Sequence, residues 1–308
     1  MDDGSEQVSE LIWHPLLGQW QVNAPGRMNR REGASACAFC DDLRLGRVSP
    51  DANAWARPND FPPLRPPTGE CYIIIYSREH EQTFLELSNE QVYEVVRVWQ
   101  NLYTDLAARY ACVLIFENNG AEIGQTQRHP HGQTYAVAQL PAMLARKLAS
   151  AEREAQAGHG CIFCTILAEE LVGPRLILET AHWAAFVPPY ARYPYETHLY
   201  PRRHVPDLQA MREAESRELG SLLLRIGRAY NQLQGGALAP MPSMLGMNQL
   251  ADERFHFHVE LLPARRAPNK LKFPASAETA FGLWSNESLP EEKAAELRTV
   301  LAQKAPGD

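Results

Sequence analysis

Cys37-Ala38-Phe39-Cys40 and Cys161-Ile162-Phe163-Cys164 decide the fold, because each is followed by the same series of histidines. From Cys40 to His80 is 80 − 40 = 40 residues, and from Cys164 to His204 is 204 − 164 = 40. His129-Pro130-His131 and His256-Phe257-His258, the two His-x-His pairs of the chain, come next. They lie 129 − 80 = 49 and 256 − 204 = 52 residues beyond those histidines.

The segments between these markers match in kind. Cys71 to Tyr76 is an apolar, β-branched run that reads as a buried strand. Ser88 then caps a long helix to about Arg109, with Gln91 closing a capping box and Leu87 facing Val92 as a staple. Val113 to Phe116 returns as a strand. In the second half Ala184 to Val187 and Thr197 to Tyr200 read as strands. A helix follows from about Ala210 to Leu233, and Phe255 to Leu262 closes as a strand. Equal order of elements and of markers implies an internal duplication of about 120 residues. The expectation is an α+β protein of two fused repeats, antiparallel sheets flanked by helices, divided at 1–150 and 151–308.

Bulk properties narrow the function. The 308 residues are 45% hydrophobic and 22% charged, ordinary for a globular protein with ample core. A net charge of −7 provides no basic field for nucleic acid or an anionic membrane. The chain opens Met1-Asp2-Asp3 without an apolar stretch, which does not read as a secretion signal. No run of about 18 apolar residues occurs, so no membrane span is expected and the cytoplasm is the expected compartment.

In a reducing compartment, Cys-x-x-Cys pairs read as metal ligands or redox centres. Zinc takes four thiolate or imidazole ligands in a tetrahedron, and each pair supplies two thiolates from one turn. Cys37, Cys40, His80 and His129 therefore form a first candidate zinc site. Cys161, Cys164, His204 and His256 form a second, with packed, metal-free thiols as the alternative. Four protein ligands leave no open position, so the role is structural. Cys71 and Cys112 each open an apolar run and read as core.

His129-Pro130-His131-Gly132-Gln133 carries the chemistry. Alternation along a strand turns His129, His131 and Gln133 to one face. An imidazole whose second nitrogen is held by an acceptor is a competent nucleophile towards phosphorus. Gln133 offers a neutral donor to a phosphate oxygen as charge develops. His131 is thus the expected nucleophile of a nucleotidyl transfer.

The run Phe116-Glu117-Asn118-Asn119-Gly120, through Gly124 to His129-Pro130-His131-Gly132-Gln133, resembles the signature of galactose-1-phosphate uridylyltransferases, a two-repeat family of the histidine-triad superfamily. His14 to Trp20 with Arg27 and Arg30, Asn59 to Pro62, Glu196-Thr197 with Pro201 to Val205, Lys272 to Glu278 and Leu289 to Glu292 resemble its other segments. The resemblance implies uridylyl transfer from UDP-glucose to galactose 1-phosphate through a uridylyl-His131 intermediate. It implies that Arg27, Arg30, Asn59, Asp60 and Asn118 hold the nucleotide. Thr126 and Gln133 would hold its phosphates, and Lys272 and Glu278 would meet the hexose phosphate. It implies a homodimer with shared sites. Related hydrolases carry a further histidine where Gln133 stands, and without an ionisable group there water is less easily activated.

The chain departs from the family pattern in several places. Thr126 replaces a common serine, and Gln127-Arg128 replaces an Asn-Pro pair, so Arg128 offers an extra phosphate contact. Some relatives bind iron with a glutamate and three histidines in the second half. Lys147 and Asn248 fall at two of those positions here, so no iron is expected. A histidine-triad nucleotidyltransferase using ADP-glucose or a dinucleoside polyphosphate is the alternative enzyme. A zinc-stabilised nucleotide-binding protein without turnover is the alternative from another class, and Arg27, Arg30 and Arg31 also read as a plain exposed patch.

Overall fold

A computed structural model describes residues 10–25, 37–233, 240–267 and 270–303. In chain order the elements are β1 (Glu10–His14), β2 (Gln19–Asn23), α1 (Ala38–Arg44), β3 (Trp55–Pro58), β4 (Gly69–Ile75), α2 (Asn89–Ala107), β5 (Cys112–Asn119), β6 (His131–Val137), α3 (Ala142–Gln156) and α4 (Ile162–Leu171). They continue with β7 (Leu176–Glu179), β8 (Trp183–Phe186), β9 (Thr197–Pro201), α5 (Glu213–Leu233), β10 (Ser243–Asn248), β11 (His258–Pro263), β12 (Arg265–Ala267), β13 (Lys270–Leu271), α6 (Ser276–Phe281) and α7 (Pro290–Ala302).

Nine strands form one antiparallel sheet in the order β3-β4-β6-β5-β10-β11-β9-β8-β7. In each half the strand next to the junction strand carries the second His-x-His histidine, His131 opening β6 beside β5 and His258 opening β11 beside β10. β5 pairs β10 across the junction, Asn118 opposite Met244, so the halves share an uninterrupted ladder. Local geometry repeats as well. Cys37 caps α1 at φ −84°, ψ 117°, and Cys161 caps α4 at φ −83°, ψ 115°.

The capping box read at Ser88 is formed: the Gln91 amide donates to Ser88 Oγ at 3.2 Å, and the Ser88 amide donates to Gln91 Oε1 at 2.9 Å. Leu87 and Val92 are both buried beside it. Val92, Val95, Val96, Trp99 and Leu106 of α2 are fully buried, as their helical spacing requires. The α2, α5 and α7 helices cover one face of the sheet, meeting Ile74, Ile115, Ala136, Leu199, Phe257 and Val259. On the other face α3 and α4 cover the second half, against Phe186, Tyr200 and Phe255.

Element ends differ from the sequence reading by a few residues. The α5 helix begins at Glu213 rather than Ala210, because the Glu215 carboxylate accepts from the Arg212 amide at 2.7 Å and caps the helix there. β11 begins at His258 rather than Phe255, because residues 252–255 are tied in a turn, the Phe255 amide donating to the Asp252 carbonyl. No helix among the described residues is long and apolar enough to cross a membrane.

Candidate active site and metal centres

The two Cys/His sets converge. In each set the four candidate ligand atoms lie within 4.8 Å of one another. Cys40 Sγ stands 3.4 Å from His80 Nδ1 and 3.6 Å from His129 Nδ1, and Cys37 Sγ stands 3.7 Å from His129 Nδ1. In the second set Cys164 Sγ is 3.3 Å from His204 Nδ1 and 3.5 Å from His256 Nδ1. Zinc–sulfur and zinc–nitrogen bonds at the tetrahedral angle separate their donor atoms by about 3.5 Å, so both sets have the dimensions of a zinc cage.

The surroundings prepare the imidazoles for a metal. His129 Nε2 lies 2.8 Å from the Ser77 carbonyl, His256 Nε2 3.0 Å from the Pro201 carbonyl and His204 Nε2 3.0 Å from the Glu253 carbonyl. Each carbonyl fixes the proton on Nε2 and turns the Nδ1 lone pair towards the cysteines. Burial, then the hydrogen bond and charge of Cys37, pushes the Cys40 thiol up to about 11. A bound dication relieves that repulsion, which is why such pairs suit a metal.

The bond network beyond the first set leads to His131. His131 Nδ1 is 2.8 Å from the carbonyl of His129, so a residue whose side chain belongs to the first Cys/His set orients the next histidine through its backbone. The Tyr76 amide donates to the Pro130 carbonyl at 3.0 Å and extends the β4–β6 ladder past His131. Gly132 is required here. A Cβ on it would fall 2.0 Å from the Tyr76 hydroxyl, which fills the space behind the strand.

His131 and Gln133 point to the face of the first half that α3 and α4 leave open, and Tyr135, next on that face, packs against the edge of the α3–α4 core. They line a cavity of about 220 Å³ with Asn59, Ile73, Phe116, Asn118, Gly124, Gln125 and Thr126. Phe116 pairs with Gln133 across β5–β6, and Ile73 pairs with it across β4–β6, which gives the cavity an apolar floor with an amide at its centre. His131, Gln125 and Thr126 also border a second cavity of about 540 Å³ that includes Glu81, Glu117, Glu122 and Arg128. Burial, opposed by a Tyr76 hydrogen bond, raises the Glu117 carboxyl to about 7.

Of the residues read from sequence, His131, Gln133, Asn59, Asn118 and Thr126 meet in one cavity. Asp60 does not; it pairs with Arg57 at 2.6 Å. Lys272 and Glu278 also lie apart from both cavities. Lys272 Nζ bonds the Ser285 carbonyl and Glu287 Oε2, the latter at 3.1 Å, and Glu278 caps α6 through the Ala275 amide at 3.0 Å. Arg27 and Arg30 lie outside the described residues.

The second half repeats the active strand with its face closed. His258 Nδ1 is 2.9 Å from the His256 carbonyl, the same bond that orients His131. Its other nitrogen, however, meets Lys147 Nζ of α3 at 2.9 Å. That ammonium also reaches Asn248 Oδ1 at 2.7 Å and Glu260 Oε1 at 2.5 Å. Burial, then Lys147, holds His258 down to about 3. Arg192 completes the cluster by pairing with Glu196 at 2.8 Å and Glu260 at 2.5 Å, so two cations face two carboxylates. His198, given no chemistry from sequence, is buried here with Nε2 2.9 Å from Glu196. Glu196 lies two residues before it, but only tertiary packing brings the two beside Glu260.

Comparison with known proteins agrees with this geometry. The family model for the N-terminal domain of galactose-1-phosphate uridyl transferase matches residues 47–141. A galactose-1-phosphate uridylyltransferase of Streptomyces lividans is 35% identical over 295 residues, spanning 92% of this chain and 77% of the relative. That of Thermotoga maritima is 30% identical over 317 residues, spanning 94% and 98%. A solved uridylyltransferase structure superposes with a TM-score of 0.86 at 25% identity, over 96% of this chain and 99% of that one. With the oriented His131, the amide-lined cavity and the duplicated sheet, these likenesses mean that the chain belongs to the galactose-1-phosphate uridylyltransferase family and is a nucleotidyltransferase.

Proposed function

We propose that the protein transfers a uridylyl group from UDP-glucose to galactose 1-phosphate through a covalent intermediate on His131. The observation that carries this reading is the bond from His131 Nδ1 to the His129 carbonyl, in a cavity shared with Gln133, Thr126, Asn118 and Asn59. With its proton held on Nδ1, His131 attacks through Nε2. The new N–P bond forms at the α-phosphorus as the bond to glucose 1-phosphate breaks. In the return step an oxygen of galactose 1-phosphate takes the uridylyl group, the N–P bond breaks and UDP-galactose leaves. Gln133 donates to the phosphate oxygen whose charge grows in both steps. Asn118 and Asn59 serve the uracil and ribose, and Phe116 and Ile73 provide the apolar wall that a base requires.

Both Cys/His sets fit zinc, and we propose one ion in each. Zinc supplies a fixed tetrahedral anchor and takes no part in the transfer. The two repeats, 1–150 and 151–308, then divide the work: the first bears the nucleophile, and the second carries its closed counterpart. Ile12, Trp13, Leu16, Leu17, Trp20 and Val22 of the β1–β2 hairpin are all exposed, which supports a homodimer through that apolar patch. In such a dimer the segment from Lys272 to Glu278, which lines neither cavity in its own chain, would serve the partner's hexose phosphate.

The test is to mix the protein with UDP-glucose alone and map the mass of its peptides. A uridylyl adduct on His131, with one glucose 1-phosphate released per site and neither seen in His131→Ala, is the expected result. Gln133→Ala should slow the exchange by about 10²–10³. An adduct from ADP-glucose in place of UDP-glucose would move the protein to adenylyl transfer, and no adduct from either would overturn the covalent mechanism.

A further inference from the structure

His131, with Gln125 and Thr126, borders two adjoining cavities of different chemistry. The smaller, about 220 Å³, is bounded by Ile73, Phe116 and Tyr135 with the amides of Asn59, Asn118 and Gln133, surroundings suited to a nucleoside. The larger, about 540 Å³, is bounded by carboxylates and hydroxyls, among them Thr83, Glu81, Glu86, Glu117 and Glu122. Those are acceptors for the hydroxyls of a sugar, but they repel a phosphate. One basic side chain among the described lining residues opposes them, that of Arg128.

Arg128 is exposed, and no carboxylate among the described residues pairs with it. The acids around it are engaged elsewhere. Glu122 pairs with Arg265 at 3.2 Å, and Glu86 caps its own turn through the Thr83 amide at 2.7 Å. Arg128 precedes His131 by three residues, so their Cα atoms are at most about 11 Å apart. Both side chains border the same cavity. An arginine fork that is not committed to a carboxylate, beside a nucleophile aimed at phosphorus, suits bidentate contact with a phosphate.

We infer that Arg128 is a specificity-determining residue that holds the phosphate of the hexose 1-phosphate in the larger of the two cavities that His131 borders. This deepens the proposed transfer reaction and rests on it for the identity of the sugar phosphate. The leaving and the accepting molecules are both hexose 1-phosphates, so one subsite serves both half-reactions. Arg128 contacts the part of the substrate that departs or enters, not the uridylyl group that stays on His131.

The experiment is direct titration of the full-length, metal-loaded protein with galactose 1-phosphate and, separately, with uridine 5′-monophosphate. Arg128→Ala should weaken galactose 1-phosphate about tenfold or more and change the nucleotide's affinity by less than about twofold. Arg128→Lys, which keeps charge but loses the fork, should fall between. Unchanged galactose 1-phosphate affinity in Arg128→Ala would overturn the assignment, as would equal weakening of the nucleotide or no binding of galactose 1-phosphate by the wild type. Adduct formation from UDP-glucose reads the other question separately. A protein that binds the sugar phosphate through Arg128 yet forms no adduct loses the covalent mechanism and keeps this subsite.

Discussion

Gly132 shows how little freedom the neighbours of His131 have. Its missing Cβ is replaced by the Tyr76 hydroxyl, which would otherwise be met at 2.0 Å. Gly132→Ala should therefore destabilise the protein by about 1–3 kcal/mol, the usual cost of forcing extra volume into a packed interior. Adding Tyr76→Phe should recover part of the loss, because the nearest contact disappears while the ring carbon at 2.9 Å remains. Thermal unfolding of the wild type, both single variants and the double variant checks this, and strictly additive effects would show that the hydroxyl is not the obstacle. Residues local to the motif, His131 and Gln133, were legible because strand alternation alone sets their face. Lys272 and Glu278 were matched by position in the chain, and position does not reveal that their polar atoms are bonded within their own segment.

At the scale of elements, α2 was legible in detail, since its cap and its buried stripe are both written in local spacing. The α3 helix was not. Its moderate apolar face gives no sign that Lys147 turns inward to bridge β10 and β11 through Asn248, His258 and Glu260; only the resemblance, which set Lys147 and Asn248 at two iron-ligand positions, pointed there. That inward ammonium accounts for the asymmetry between the halves, because it occupies over His258 the space that stays open over His131. Desolvation lowers the Lys147 pKa while Glu260 draws it back up, so the pair holds together as a unit. Lys147→Met keeps the length but removes the charge and leaves Glu260 to Arg192 alone. A loss of about 3 kcal/mol is expected, the low end for breaking a buried pair, because one cation remains. The melting temperature should fall, while uridylyl transfer at a permissive temperature persists. A variant as stable as the wild type would mean that the bridge contributes nothing net.

Across the whole molecule the proposed mechanism gives the two Cys/His sets different work, although their dimensions are nearly the same. Each ties together a Cys-x-x-Cys turn, a histidine 40 residues on and a third segment beyond, so each closes long loops that cost entropy when left open. Loss of either ion should therefore lower stability. On the proposed mechanism only the first set would touch the chemistry, because the carbonyl of His129, one of its four members, orients His131. The second set ends at His256, whose carbonyl orients His258, and His258 is already bound to Lys147. Cys40→Ser should thus lose one zinc and lower both the melting temperature and the rate of adduct formation on His131. Cys164→Ser should lose one zinc and lower the melting temperature while leaving kcat/KM near that of the wild type where the protein stays folded. Metal content, thermal unfolding and adduct kinetics on the three proteins separate these effects. Equal loss of activity in both variants would show that the halves communicate through the shared β5–β10 ladder, and the division of labour between the repeats would have to be abandoned.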